Sequence, residues 1–222
     1  MAIKVVFFDV GGTLLSSDSS LFQNMAKKLN IRDFDHKLRK SFFDKKRGAS
    51  EEKFKTIIGL LSDVLIENGF SPAEAESTSE FLYKKSFVEN GAIYPDTLLA
   101  LNLLSEKDIK LGIISDADWN ILKLELEKFG LLRFFSSFSV SSEVRAYKPD
   151  GKIFAHALKS ANVLPEESIY VGDTPEDIIG AKNMSIRSVL INRLHKDTSK
   201  IKIGPDFEVA SLADIHGILK SL

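Results

Sequence analysis

Residues 3–15 read IKVVFFDVGGTLL, and this stretch decides the fold. Its first six residues are mostly β-branched or aromatic, and the run stops at Asp9. Such a run is typical of a buried strand, and Gly11 followed by Gly12 predicts a tight turn directly after it. The chain therefore starts with a buried strand whose carboxyl end carries an acid.

The sequence changes its periodicity after this strand. From residue 16 to residue 91 apolar residues recur at helical spacing, as in Leu21, Met25 and Leu29. Ser71 followed by Pro72 predicts the start of another helix. We interpret residues 16–91 as an all-helical insertion, a cap, with hinges near residues 15–17 and 90–94.

After Pro95 predicted helices and strands alternate, which favours right-handed crossovers and a parallel sheet. The predicted strands are residues 111–114, 169–171 and 188–191, and a short apolar segment lies around residues 138–140. The predicted helices are 97–105, 119–129, 152–161, 176–184 and 212–219. We therefore predict an α/β protein with a Rossmann-like core, residues 1–15 and 92–222, that carries the inserted helical cap.

The composition limits the classes of function. Of 222 residues, 44% are hydrophobic and 27% are charged, which is typical of a globular protein and excludes disordered and fibrous classes. Thirty basic residues against thirty-one acidic residues give a net charge of −1. A dedicated nucleic-acid or membrane-surface binder would usually carry a basic excess, so we expect neither partner.

The chain has no cysteine, which excludes disulfides, thiolate metal sites and a cysteine nucleophile. This composition suits a reducing cytoplasm. The N-terminal segment has no basic leader and no small-residue cleavage site, so we expect no signal peptide. We expect a cytoplasmic protein.

Polar residues follow several of the predicted strands. In an open parallel sheet ligands bind beyond the carboxyl ends of the strands, so these side chains are expected to meet at one edge. Carboxylates that converge beside one lysine need a cation among them, and oxygen ligands without histidine or cysteine suit Mg²⁺. A hydroxyl, a lysine and the amides of a glycine turn would donate to phosphate oxygens. The set consists of Asp9, Ser115, Asp116, Lys148, Asp173 and Asp177.

Four segments give the chain a resemblance to a known family. FFDVGGTLL, GIISDAD, RAYKPD and YVGDTPEDIIGA resemble, in chain order, the four motifs of the haloacid dehalogenase superfamily. Members of this type carry a helical cap after the first motif, so the resemblance covers the whole chain. It implies hydrolysis of a small phosphorylated metabolite with Mg²⁺ through an aspartyl-phosphate intermediate.

The resemblance also implies roles for individual residues. Asp9 is the expected nucleophile, Ser115 the phosphate-binding hydroxyl and Lys148 the cation that orders nucleophile and phosphate. The predicted metal ligands are Asp9, the Gly11 carbonyl, Asp173 and Asp177, the last either directly or one shell out. The predicted phosphate-binding set is Gly12, Thr13, Ser115, Asp116 and Lys148.

One position departs from the family pattern. Phosphatases of the family usually have a second aspartate two residues after the nucleophile, where this chain has Gly11. That aspartate is the general acid and base, a role typically worth ~10²–10⁴-fold in rate. Asp18 and Asp116 are candidates to replace it.

Gly11 keeps two alternatives open. The first is a dehalogenase or a phosphonatase, and a phosphonatase would need a cap lysine for a Schiff base. The second is a catalytically weak member of the family that acts as a binding or regulatory protein.

The predicted cap also contains basic residues. A basic stretch at residues 37–47 is expected either to form a solvated helix face or to attract an anionic substrate to the cap. The predicted cap offers four lysines for such a Schiff base: Lys27, Lys28, Lys53 and Lys55.

Overall fold

The computed structural model describes most of the core and part of the predicted cap. The described residues are 2–18, 20, 24, 27, 53–107, 109–193, 195, 198 and 203–222. The predicted helix positions Leu21, Met25 and Leu29, the basic stretch 37–47 and Lys28 lie outside them.

The described elements alternate between strands and helices, as the sequence predicts. The strands are β1 (Val5–Phe8), β2 (Leu15–Ser16), β3 (Ala92–Ile93), β4 (Lys110–Ser115), β5 (Ser137–Val140), β6 (Ser168–Gly172), β7 (Arg187–Ile191) and β8 (Phe207–Val209). The helices are α1 (Ile57–Ile66), α2 (Pro72–Lys84), α3 (Thr97–Ser105), α4 (Trp119–Lys128), α5 (Ser141–Val144), α6 (Gly151–Ala161), α7 (Pro175–Asn183) and α8 (Ile215–Ser221).

Six of the strands form one sheet in the order β5-β4-β1-β6-β7-β8, and every neighbouring pair is parallel. This confirms the predicted α/β class. The register aligns Phe8, the last residue of β1, with Ile113 of β4 and Val171 of β6. The residues that follow these three strands therefore meet at one edge of the sheet.

Strand β1 lies in the middle of the sheet, and its side chains alternate between two buried layers. Val6 and Phe8 pack into the layer that includes residues of α3, α4 and α8. Val5 and Phe7 pack into the layer that includes residues of α6 and α7. A strand buried on both faces reads as an uninterrupted apolar run, which is why IKVVFF predicted it.

Some elements have no counterpart in the predictions. β8 extends the sheet beyond β7, and β2 pairs with β3 in a short antiparallel ladder that joins Leu15 to Ile93. This ladder ties together the two chain segments predicted as hinges of the cap. The boundaries 16–91 for the cap stay a prediction.

Two helices of the predicted cap, α1 and α2, pack against each other and are capped in different ways. At α2, Ser71 and Glu74 form a reciprocal capping box. At α1, the carboxylate of Asp118, which precedes α4, accepts hydrogen bonds from the amides of Ile57 at 2.9 Å and Ile58 at 2.8 Å. Asp118 thus supplies a carboxylate to the N-terminus of α1, where the helix dipole favours it.

Among the described residues, no helix is both long enough and apolar enough to cross a lipid bilayer.

Candidate active site

Three predicted metal-site acids converge at the carboxyl edge of the sheet. One carboxylate oxygen from each of Asp9, Asp173 and Asp177 lies within 4.8 Å of the others. Lys148 lies between two of them, because its Nζ is 2.8 Å from Oδ1 of Asp9 and 2.6 Å from Oδ1 of Asp177. Residues far apart in the sequence thus form one buried ionic cluster.

Asp177 is held by hydrogen bonds on both of its oxygens. Its Oδ1 accepts from Lys148 and from the hydroxyl of Tyr170 at 2.7 Å. Its Oδ2 accepts from the amides of Asp173 and Thr174 and from the Thr174 hydroxyl. Asp177 therefore fixes both the lysine and the turn that carries Asp173.

Tyr170 was not predicted as a site residue. It lies on β6, fully buried, and its hydroxyl contacts Lys148, Asp177 and the carbonyl of Ile114. A tyrosine in an otherwise aliphatic strand is a signal for such a role, since a buried tyrosine hydroxyl needs a partner.

Burial and neighbouring charges set the ionisation of this cluster. Burial raises the pKa of Asp9 to about 6, although the ammonium of Lys148 lowers it. Burial would also raise the pKa of Asp177, but Lys148 and the hydrogen bonds outweigh it and hold that pKa below its ordinary value. Burial would lower the pKa of Lys148, but Asp177 and Asp9 hold it well above its usual range.

The cluster fits a hard divalent cation. Three carboxylates and one ammonium leave two negative charges in a largely buried place. Oxygen ligands of this kind are those that Mg²⁺ prefers. The turn after β1 is shaped around the same acids, because Gly12 has φ +79° and a Cβ there would lie 2.3 Å from Oδ2 of Asp173. Only glycine allows the backbone to approach this carboxylate so closely.

A cavity of about 260 Å³ opens beside the cluster. One part of its lining belongs to the predicted site and includes Asp9, Ser115 and Lys148. We use the name charged edge for the ionic cluster beside the cavity, which consists of Asp9, Lys148, Asp173 and Asp177. The other part comes from α2, the π-helical turn Lys85–Glu89 that follows it, and α4. We call this part the apolar wall; it consists of Tyr83, Phe87, Leu122 and Glu125.

The predicted phosphate-binding residues divide into two groups. Ser115, Asp116 and Lys148 line the cavity, whereas Gly12 and Thr13 do not. Thr13 is fully buried, and its carbonyl accepts a hydrogen bond from Arg193 at 2.7 Å. The role of Thr13 in phosphate binding stays a prediction.

Gly11 lines the cavity and differs from Gly12 in its surroundings. Its φ lies outside the left-handed range, and a Cβ built on it would meet no atom within 4 Å. The described structure therefore shows no steric reason for glycine at this position.

The other candidates lie elsewhere. Asp18 accepts hydrogen bonds from the amide and hydroxyl of Ser20 and does not line the cavity. Lys55 pairs with Asp63. Of the lysines in the part of the chain that the structure describes, Lys148 is the one that lines the cavity.

Glu125 is a cavity residue that the sequence reading missed. It lies on the buried face of α4 together with Ile121, Leu122 and Leu126. The signal was present, since an acid three residues after Leu122 falls on the helix face that the apolar spacing assigns to the interior.

Three comparisons identify proteins that are similar to this chain in sequence or in fold. Residues 6–191 match the family model described as haloacid dehalogenase-like hydrolase. The glyceraldehyde 3-phosphate phosphatase of Methanothermobacter thermautotrophicus is 30% identical over 210 residues, covering 86% of each chain. A solved haloacid dehalogenase-type phosphatase from Thermococcus onnurineus superposes with a TM-score of 0.71 and 25% identity, covering 98% of each chain.

A solved L-2-haloacid dehalogenase superposes with a TM-score of 0.78 at 22% identity, covering 99% of this chain and all of that one. At this identity the likeness concerns the fold.

Proposed function

Because the chain belongs to the haloacid dehalogenase-like hydrolases, we propose that it is a magnesium-dependent phosphatase that hydrolyses a small phosphorylated metabolite through an aspartyl-phosphate on Asp9. The observation that carries this proposal is the convergence of Asp9, Asp173 and Asp177 around Lys148. An acidic cluster of this kind suits a phosphate ester with a metal, and phosphatases occur among the relatives.

The proposed roles follow from the contacts. Asp9 attacks phosphorus with the carboxylate oxygen that Lys148 does not hold, so the lysine orients the nucleophile. Ser115 and Lys148 line the cavity next to Asp9 and would donate hydrogen bonds to the phosphate oxygens. Asp177 positions Lys148, and Tyr170 positions both.

Asp9, Asp173 and the Gly11 carbonyl would hold Mg²⁺, with Asp177 as a positioning acid behind them. When bound, the cation would neutralise charge on the phosphate and reduce its repulsion from Asp9. One relative is a phosphatase of a small metabolite, glyceraldehyde 3-phosphate. We propose that this enzyme is cytoplasmic, since a cysteine-free chain suits a reducing compartment.

A second candidate is a dehalogenase, and Gly11 is the observation that favours it. Halide leaves carbon without protonation, so a carbon–halogen hydrolase needs no acid at that position. The pair Asp173 and Asp177 favours the phosphatase, because halide displacement from carbon has no phosphate charge for a metal to neutralise.

One screen separates the candidates. Phosphate release from small phosphate esters, halide release from 2-haloacids and aldehyde formation from phosphonates are measured with Mg²⁺ and after chelation. We expect phosphate release alone, and only with Mg²⁺. Halide release that survives chelation would replace the phosphatase with the dehalogenase, and no turnover by the folded protein would favour a binding role.

A further inference from the structure

The cavity beside Asp9 contains a second kind of buried acid. Glu125 lines it from α4, next to the aromatic residues Tyr83 and Phe87 of the apolar wall. Glu125 is only 4% exposed. A buried glutamate on the wall of a reaction cavity needs an explanation, since burying a carboxyl group without partners is costly.

No structural partner explains Glu125. Within the described ranges its carboxyl forms no hydrogen bond and no ion pair, whereas exposed Glu127 on the same helix pairs with Lys123 at 3.8 Å. A buried polar group without a partner is rare in native proteins and often marks a functional site. What Glu125 does face is the cavity.

The surroundings keep this carboxyl neutral. Burial and, second to it, the charge of Asp9, which follows β1, raise the pKa of Glu125 to about 8, although Lys128 on the same helix lowers it. From α2 it faces Tyr83, whose pKa burial holds well above its ordinary value. The other charged residues that line the cavity are Asp116, Lys148 and Glu176.

We infer that Glu125 is the general acid and base of this enzyme and takes over the function of the aspartate that Gly11 replaces. This inference rests on the proposed phosphatase function. Both positions line the same cavity, but the proton comes from α4 instead of from the turn after β1.

The proton balance is simple. In the first step the Asp9 carboxylate forms a bond to phosphorus, the bond from phosphorus to the alkoxide oxygen breaks, and Glu125 gives its proton to that oxygen. In the second step the Glu125 carboxylate takes a proton from a water molecule that attacks phosphorus. The bond from phosphorus to Asp9 then breaks, which releases phosphate and restores both side chains.

The two earlier candidates fit this role less well. Asp116 lines the cavity, but its Oδ1 accepts the amide of Lys148 at 2.9 Å, so it serves to position that loop. Asp18 is bound to Ser20 away from the cavity.

The test compares Glu125→Gln with Glu127→Gln as a matched control on the same helix, because the Glu127 side chain is 47% exposed. Both are assayed in the first turnover, for release of glycerol from glycerol phosphate, whose alkoxide needs a proton to leave, and of nitrophenol from nitrophenyl phosphate, whose leaving group departs unaided. The first turnover is used because hydrolysis of the aspartyl-phosphate, in which Glu125 is the base, is common to both substrates. We expect Glu125→Gln to lower the rate of leaving-group release ~10²–10⁴-fold for glycerol phosphate and much less for nitrophenyl phosphate. The control should retain wild-type rates on both.

The pH profile gives a second readout that a structural role would not change. The wild-type rate on glycerol phosphate should fall as the pH rises through about 8, because Glu125 then loses the proton it must donate. In Glu125→Gln this alkaline fall should disappear, and Glu125→Asp should restore part of the rate. Thermal melting confirms that each variant is folded.

The outcomes are distinguishable. In one outcome the wild type releases phosphate from both substrates, but Glu125→Gln slows leaving-group release equally for both substrates or for neither. Glu125 is then not the acid, and the phosphatase proposal stands. If the wild type releases no phosphate from either substrate with Mg²⁺, both proposals fall together. If Glu125→Gln does not fold, it is replaced by Glu125→Met, which also removes the carboxyl group, and an unchanged leaving-group dependence of that variant overturns the inference.

Discussion

The charged edge and the apolar wall both contain buried carboxyl groups beside one cavity, but they differ in the hydrogen bonds that they offer to these groups. In the charged edge, Asp177 accepts hydrogen bonds on both oxygens and its pKa lies below the ordinary value. On the apolar wall, Glu125 has no hydrogen bond to any described residue, and burial raises its pKa to about 8. Burial with donors keeps an acid ionised, and burial without them keeps it neutral.

This difference has a chemical use. Phosphate ester hydrolysis through a covalent intermediate needs an ionised nucleophile and a protonated acid at the same pH. Two carboxyl groups can take these two roles when their environments push their pKa values apart. The cavity offers such a pair in Asp9, which Lys148 contacts, and Glu125, which no described cation contacts.

The largest effect is expected from Asp9→Asn, which removes the nucleophile from the charged edge. The amide is nearly isosteric but is a poor nucleophile, so turnover should fall on the order of 10⁶-fold. Phosphate release measures this, and the melting temperature should stay close to that of the wild type. Asp214→Asn is the control, because Asp214 is exposed and does not line the cavity. Normal turnover in Asp9→Asn would remove the charged edge from the mechanism.

Lys148→Met should come second, because it leaves Asp9 and Asp177 without their shared cation. Removing one partner of a buried ionic cluster typically costs about 3–5 kcal/mol of unfolding free energy. The loss of a phosphate donor should also lower the rate by about 10²–10³-fold. Denaturant unfolding and phosphate release measure the two effects.

Lys159→Met provides the matched control for Lys148→Met, since Lys159 is exposed on α6. Equal stability of the two variants would mean that the charged edge is not held together by Lys148.

Much of the fold could be predicted from the sequence because its signals are local. The buried strands are uninterrupted apolar runs, and in a parallel sheet their carboxyl ends must meet at one edge. Asp9 and Asp173, which directly follow β1 and β6, could therefore be placed together from the sequence. β8, only three residues long and half exposed, has no such signal.

The apolar wall could not be predicted in the same way. Glu125 and Tyr83 line the cavity because α4 and α2 lie beside it. Sequence periodicity assigns residues to a helix face without showing what that face contacts. Periodicity does mark Glu125 as interior. It does not show that the interior there is a cavity.

Two glycine substitutions in the turn after β1 separate a position that contacts the charged edge, Gly12, from one that does not, Gly11. Gly12→Ala should lose about 1–2 kcal/mol for its positive φ, and its Cβ would displace Asp173 and so weaken Mg²⁺ activation. Gly11→Ala is the matched control, because its Cβ meets nothing, and its unfolding free energy should stay within about 0.5 kcal/mol of the wild type. Denaturant unfolding and Mg²⁺ titration of activity measure both.

The smallest effect is expected from Gly11→Asp, which places a carboxyl group at the cavity opening between the two regions. Space and backbone permit it, since a Cβ at Gly11 meets no atom within 4 Å and φ is not left-handed. In the wild type the gain on glycerol phosphate should stay well below ~10²–10⁴-fold, because Glu125 already supplies the proton. In the Glu125→Gln background the same change should recover a larger factor, because the acid is then missing. Equal gains in both backgrounds would mean that Glu125 and the new aspartate act independently, and that the apolar wall does not hold the acid.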